Sequence, residues 1–524
     1  MDKTSLKPNI LFIMTDQQRF DTIAALGNSS IYTPNLDRLV RRGISFDNGY
    51  TPCPVCVPAR LCVRTGCEPV KTRLYDNGYY KETNLWPDLD ENRLNTVYED
   101  RFGAYLPRRM NQLGYRTFGI GKEHSLPVYE DIGHEVHLHT EEFYFSVEDR
   151  NEHDAYASWL RKEHSEKCDW LEMLQGERTE MYYQPQMSPL PANLTVESFV
   201  ADRAVEQIKS SDTRPYFGCI SFIGPHPPFA PPIPFNRMYD PDHMPDPVLG
   251  KSELDFMDEV VPWLNYAVYR EEFTLSQARI LKSRYYGEIS YIDHCLGRIL
   301  DAVESRTDAD NTLICFYSDH GELIGDHHSW TKCNFFEGSC HIPFLVSWPE
   351  CLPKNQRRDE LASLVDLFGM ATVAAGSPEM RDGTDLIGVI EGTAKPRKQL
   401  FSYFGAPGSV FFKIMVREGD WKYIFIANGG REQLFNLKDD PDELIQRAET
   451  ERDISIRLRK AAVEKMRKIH AELALEGSDF KGFEYEPLNR VRIRQFAYEY
   501  GVNNFAAKPP DAFNIGIKQK FTAL

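Results

Sequence analysis

Four separated stretches of the chain end an apolar run on residues that can move protons or bind ions. They are Asp16 after residues 9–15, the segment Gly121-Lys122-Glu123-His124, the segment Gly224-Pro225-His226, and Asp319-His320 after residues 312–318. A fifth stretch, Cys56-Val57-Pro58-Ala59-Arg60-Leu61-Cys62-Val63-Arg64-Thr65-Gly66, carries a thiol and a guanidinium one helical turn apart. If Pro58 opens a helix, Cys56 sits at its mouth, where unpaired backbone N–H groups favour an anion. Arg60 then projects from the same face and can hold the oxygens of a nucleophile or an anionic ester. Cys62 falls on another face and, like Cys53, is expected to be a packing thiol. A nucleophile, a cation and several acid–base groups are the ingredients of ester hydrolysis.

The elements that must gather these residues are legible from periodicity. Residues 9–15 form a continuous apolar run of strand length. A helix follows over 33–43, with Pro34 near its start and Gly43 as its stop. Further strands are expected at 44–46, 115–120, 216–222 and 312–318, and further helices at 102–113, 197–209 and 275–305. Strands alternating with helices predict an α/β fold, a mostly parallel central sheet with helices on both faces. Sites in such sheets form beyond the carboxyl ends of the strands, which brings the polar strand ends into one cluster. Residues 127–193 and 226–275 are rich in acidic, aromatic and proline residues and read as insertions that build a substrate rim. Tyr79, Tyr80, Trp159 and Trp330 are conceivable stacking residues there, though packing is the commoner role. A catalytic domain is expected over 1–385. A smaller antiparallel-sheet and helix subdomain follows over 386–482, with its helix at 454–476. The tail, 483–524, either wraps the body or reaches a neighbouring subunit of a homo-oligomer.

Composition narrows the partners. The chain has 524 residues and a formal charge of -17, from 61 Lys+Arg against 78 Asp+Glu. Such a surface repels nucleic acid and anionic membrane, while a local basic pocket can still hold a small anion. No run of about 18 apolar residues exists, so a spanning helix is not expected. No secretion signal is legible at the start, which predicts a cytoplasmic protein unless the sequence has been trimmed, in which case a periplasmic or secreted one. The 11 cysteines are odd in number, and several lie in apolar runs, as reduced buried thiols do.

The segment from Cys56 to Gly66 resembles the signature of the formylglycine-dependent sulfatase family, Cys-x-Pro-x-Arg followed by Thr-Gly. The family belongs to the alkaline phosphatase-like superfamily, and the resemblance extends over most of the chain, with motifs in family order. It implies that a maturation enzyme, formylglycine-generating enzyme or its anaerobic counterpart, converts Cys56 to formylglycine. It also implies one divalent cation held by Asp16, Gln17, Asp319, His320 and the modified Cys56. Oxygen donors suit Ca2+ first, with Mg2+ as an alternative. Many sulfatases have aspartate in place of Gln17 and asparagine in place of His320, and that exchange leaves Mn2+ open.

By the same resemblance, Arg60, Lys122 and Lys332 hold the sulfate oxygens, His226 gives a proton to the leaving group and His124 is the base that releases sulfate. His341 stands where arginine is commoner, which puts substrate contacts near it in doubt. Glu322, Asp326, His327 and His328 are expected to support the site and its loop rather than form a second metal cluster. The expected substrate is a sulfated sugar, an aryl sulfate or another small organic sulfate. Phosphonate monoester and phosphodiester hydrolases share Asp-Gln, Cys-x-Pro-x-Arg and Asp-His and are the nearest alternative. A noncatalytic anion-binding protein is the second.

Overall fold

The computed structural model describes residues 7–75, 77, 94–125, 131–141, 152–167, 185–250 and 274–485. Strand β1 (Asn9–Thr15) is apolar on both sides, which suits a position covered on both faces. Leu11 and Ile13 pack into one cluster with Leu296 and Ile299, whereas Ile10 and Phe12 pack into another with Leu367 and Phe368. The remaining strands of this sheet are β2 (Ile44–Tyr50), β3 (Arg116–Gly121), β4 (Val136–His139), β5 (Tyr216–Ser221), β6 (Thr312–Ser318), β7 (Phe344–Ser347) and β8 (Gln356–Ser363). Their order is β4-β3-β5-β1-β6-β7-β2-β8. All run parallel except β7, which is antiparallel to both neighbours.

Register places the site. Thr15 pairs with Ser318 and Gly121 pairs with Ser221, so the strands β1, β6, β3 and β5 end level. The residues that follow, Asp16, Asp319, Lys122 and the 222–226 loop, therefore open into one crevice. The Val196–Ile208 and Leu275–Glu304 helices cover one face of the sheet. The Cys56–Thr65 and Asp366–Ala374 helices cover the other. Thr274 starts the longest helix with a reciprocal cap: its hydroxyl accepts from Gln277 N at 3.2 Å, and Gln277 Oε1 accepts from Thr274 N at 2.7 Å.

Several expected boundaries shift. The helix expected over 102–113 runs over Leu106–Gln112, preceded by a separate helix over Leu94–Phe102. Gly103, with φ 84°, separates the two, and Pro107 sits in the first turn of the second. Strand β4 lies within the stretch read as an insertion. The helix expected at 454–476 runs over Arg452–Lys468.

A second sheet holds β9 (Leu400–Phe404), β10 (Lys413–Glu418), β11 (Trp421–Ile426) and β12 (Arg431–Asn436), antiparallel in the order β12-β11-β10-β9. The fourth strand had no clear signal, because Arg431-Glu432-Gln433 precedes its short apolar part. Among the described residues no helix is long and apolar enough to cross a membrane, and the described cysteines are all thiols. Tyr79, Tyr80 and the tail after 485 lie outside the described residues.

Candidate active site

The buried helix after β2 begins at Cys56 itself, so Pro58 occupies its first turn rather than its first position. An N–H is not missed there, since the first-turn donors have no intrahelical acceptor. The helix ends at Gly66 with φ 64°, where an added Cβ would lie 2.7 Å from Phe368. Only glycine combines that backbone with that contact.

Arg60, one turn into the helix, ties four strand ends together. Its Nε donates to Asp319 Oδ2 at 2.8 Å and its Nη2 to Asp16 Oδ2 at 2.9 Å. Its Nη1 donates to Lys122 O at 2.8 Å and Ser221 Oγ at 2.9 Å. These four bonds go to protein oxygens, so the guanidinium organises the centre in addition to any hold on an ester. Lys122 Nζ pairs with Asp16 Oδ2 at 2.6 Å. Burial opposes ionisation of Asp16, but Lys122, His226, Arg60 and Lys332 hold its pKa well below the ordinary value.

With both Oδ2 atoms taken, the other carboxylate oxygens face a shared point. Asp16 Oδ1 lies 3.8 Å from both Cys56 Sγ and His320 Nε2. Asp319 Oδ1 lies 3.7 Å from His320 Nε2 and accepts from Gln17 N at 3.1 Å. Cys56 Sγ is 3.1 Å from His320 Nε2. Burial depresses the His320 pKa to about 4, so the ring is neutral near pH 7. Its Nδ1 lies 3.0 Å from the Gly321 carbonyl, which holds the proton on Nδ1 and turns the Nε2 lone pair inward. Ligand atoms of Asp16, Cys56, Asp319 and His320 all lie within 4.8 Å of one another. Two inward carboxylate oxygens and an imidazole lone pair form an array of acceptors that fits a divalent cation. Cys56 is an unpromising nucleophile as a thiol, because burial and then Asp16 push its pKa up to about 12.

The other expected residues surround this point. Gln17 takes a left-handed backbone, φ 69°, and its Oε1 accepts from Lys332 Nζ at 2.7 Å. Lys332 Nζ also reaches Cys56 Sγ at 3.1 Å. His226 is buried with Nδ1 2.8 Å from Pro227 O, a contact that places a proton on Nδ1. His124, half-buried with φ 45°, donates its backbone N–H to Glu141. Glu141 also meets His139 Nε2 at 2.9 Å. Glu141 was not legible beforehand, since it sits in an irregular stretch without a motif.

Other candidates stand apart from the cluster. His341 stacks between Phe20 and Tyr50, with centroids 3.9 and 4.8 Å away, and pairs with Glu337 at 2.7 Å. Asp326 pairs with Arg19 at 2.7 Å, and His327 stacks on Phe336 at 3.8 Å. Trp159 and Trp330 pack into apolar clusters.

Comparison with known proteins agrees with this arrangement. The sulfatase family profile matches residues 8–377, and that of the N-sulphoglucosamine sulphohydrolase C-terminal region matches 325–470. Choline-sulfatase of Rhizobium meliloti is 28% identical over 487 residues, 90% of this chain and 88% of that protein. Arylsulfatase of Clostridium perfringens is 28% identical over 456 residues, 84% of this chain and 90% of that protein. The phosphonate monoester hydrolase of Agrobacterium radiobacter superposes with a TM-score of 0.70 and 24% identity, covering 89% of this chain and 96% of that one. With the profile spanning the whole parallel sheet and every strand end of the cluster, the chain belongs to the sulfatase family and is a sulfuric ester hydrolase.

Proposed function

We propose that this chain hydrolyses the sulfate monoester of a small organic alcohol, using formylglycine made from Cys56 and one divalent cation. The observation that carries the reading is the convergence of Asp16, Cys56, Asp319 and His320 on one buried point, rimmed by Arg60, Lys122 and Lys332. Asp16, Gln17, Asp319, His320 and residue 56 would hold the cation. The oxygen-rich set favours Ca2+, and the imidazole admits Mn2+, with Mg2+ a further candidate. When bound, the cation supplies Lewis acidity and the hydrated aldehyde supplies the nucleophilic hydroxyl.

The chain's own residues do the rest. Lys122 and Lys332 neutralise the nonbridging oxygens of the ester, and Arg60 holds the two aspartates in place. His226 Nε2 delivers a proton to the leaving oxygen. His124 takes a proton from the side chain at residue 56 as sulfate departs. Similarity to a choline-sulfatase and an arylsulfatase over most of their lengths supports a compact organic sulfate.

Phosphonate monoester or phosphodiester hydrolysis is the second reading, favoured by the Asp16-Gln17 and Asp319-His320 pairs. The test is a panel of choline sulfate, aryl sulfates, sulfated sugars and phosphonate monoesters, assayed with matured enzyme. The highest kcat/KM on a sulfate supports the first reading. A phosphonate preference overturns it.

A further inference from the structure

We infer that Glu322 is a positioning residue that decides which end of the Gln17 amide faces Lys332 and residue 56. The inference rests on the proposed active centre for its consequence, but its geometry stands by itself. Glu322 is fully buried, two residues after His320. Its Oε1 accepts from Ile324 N at 3.0 Å and Thr331 N at 2.5 Å. Its Oε2 accepts from Gln17 Nε2. On the other side of Gln17, Lys332 Nζ donates to Gln17 Oε1 at 2.7 Å and to Cys56 Sγ at 3.1 Å.

Chemistry leaves that amide one orientation. An ionised carboxylate only accepts and an ammonium only donates. An amide wedged between them satisfies both only with NH2 toward Glu322 and oxygen toward Lys332. The reversed amide would set acceptor against carboxylate and donor against ammonium, among three buried side chains. The backbone cannot relieve the mismatch, because Gln17 N is held by Asp319 Oδ1 at 3.1 Å and Gln17 O by Tyr285 OH at 2.7 Å. The same carboxylate also anchors Thr331, the residue before Lys332, in a left-handed turn of φ 68°. Glu322 thus sets both partners of the Gln17–Lys332 hydrogen bond without touching the substrate.

The E322Q substitution separates this role from simple packing. An amide at position 322 has one oxygen, which the two backbone N–H groups require. Its NH2 then points at Gln17 and forces that amide to reverse, presenting a donor to Lys332 and to the cation. The exchange Q17E/E322Q restores every pair. The amide at 322 keeps its oxygen on Ile324 and Thr331 and donates to a carboxylate at 17, whose second oxygen serves Lys332. Charge and shape are those of the wild type. Q17E alone sets two carboxylates face to face.

The experiment is a double-mutant cycle on the full-length protein, with two readouts. In chelator-stripped protein, thermal midpoints are measured for wild type, E322Q, Q17E and the exchange variant. We expect both single variants to melt lower and the exchange variant to recover most of the loss. Additive losses would overturn the inference. Mn2+ binding by calorimetry is the second readout, with E322Q expected to bind roughly 10–100-fold more weakly and the exchange variant to return to near the wild-type value. Where the wild type binds Mn2+, equal binding by E322Q also overturns it. A stability rescue in a protein whose wild type binds no Mn2+ would uphold the Gln17 lock and refute the proposed metal centre instead.

Discussion

Two buried charge clusters in this molecule use similar residues to opposite ends. At the strand ends, Arg60 and Lys122 meet Asp16 and Asp319. Between the large sheet and the four-stranded one, Lys422 meets Glu337 at 2.8 Å and Glu443 at 2.5 Å. There Tyr50 donates to Glu337 at 3.1 Å, His341 pairs with it at 2.7 Å, and Arg417 donates to Tyr50 at 3.0 Å. The second cluster is closed, because donors face acceptors throughout. The first is open on one side, where Asp16 Oδ1, Asp319 Oδ1 and His320 Nε2 face one another as acceptors. Acceptors crowded in a dry interior are tolerable when a cation joins them. That asymmetry, rather than the number of charges, marks the functional cluster.

The largest expected effect lies at the open cluster. C56A removes the side chain proposed to become the nucleophile, and turnover should fall by at least about 10^4-fold with the far-UV spectrum and melting cooperativity retained. Substantial turnover by C56A on any panel substrate would break the assignment. D319A should strip the cation from the protein as well as the activity, since Arg60 then has one carboxylate instead of two. Unchanged metal content by elemental analysis would contradict it.

Next comes His226, outside the donor set proposed for the cation. H226A should lower kcat/KM by roughly 100-fold for esters with basic leaving groups and much less for activated aryl esters, with metal content unchanged. Equal losses across a leaving-group series would move the proton to Lys332 or water.

The closed cluster should answer differently. K422M leaves Glu337 and Glu443 buried without their cation, at a cost of about 3–5 kcal/mol in stability. Activity per folded molecule should change only a few-fold. A collapse of kcat without loss of stability would erase the distinction between the clusters.

The smallest effect concerns acid. Burial opposes ionisation of Glu141, but its hydrogen bond to His139, with His139, His124 and Lys122 nearby, holds its pKa at about 2 against an ordinary 4.5. A depressed carboxylate stabilises the fold above the unfolded pKa and loses that contribution as pH falls through the folded one. The contribution is on the order of 3 kcal/mol, and it should fade between about pH 4.5 and 2. Urea melts of E141Q should show a shallower acid limb than wild type over that window. Parallel limbs would mean that Glu141 carries no such linkage.

Much of this was legible in the sequence, for physical reasons. β1, β5 and β6 announced themselves because strands buried on both faces are continuous apolar runs, and each ended on the polar residues now in the crevice. Cys56 and Arg60 were legible as a pair because helical spacing is fixed. β7 escaped because four residues, Phe344–Ser347, carry too little periodicity and its antiparallel direction depends on its neighbours. Glu141 escaped because its role is set by a fold-level approach to the His124 loop, which no local pattern encodes. The contrasting surroundings of Glu322 and His341 are likewise set by the fold and not by a local pattern. One turned out to brace Gln17, while the other stacks between Phe20 and Tyr50 in the closed cluster.

In the function proposed above, the open cluster is built around a modified residue 56. Its most direct test is mass spectrometry of the peptide ending at Arg60, from enzyme matured in cells that contain a sulfatase-maturing enzyme, with turnover measured on the same preparation. The expected peptide is lighter by the replacement of CH2–SH with CHO at residue 56, with alkylation confined to Cys53, in a fraction that tracks specific activity. Fully active enzyme in which every copy of that peptide retains an alkylatable Cys56 would contradict it.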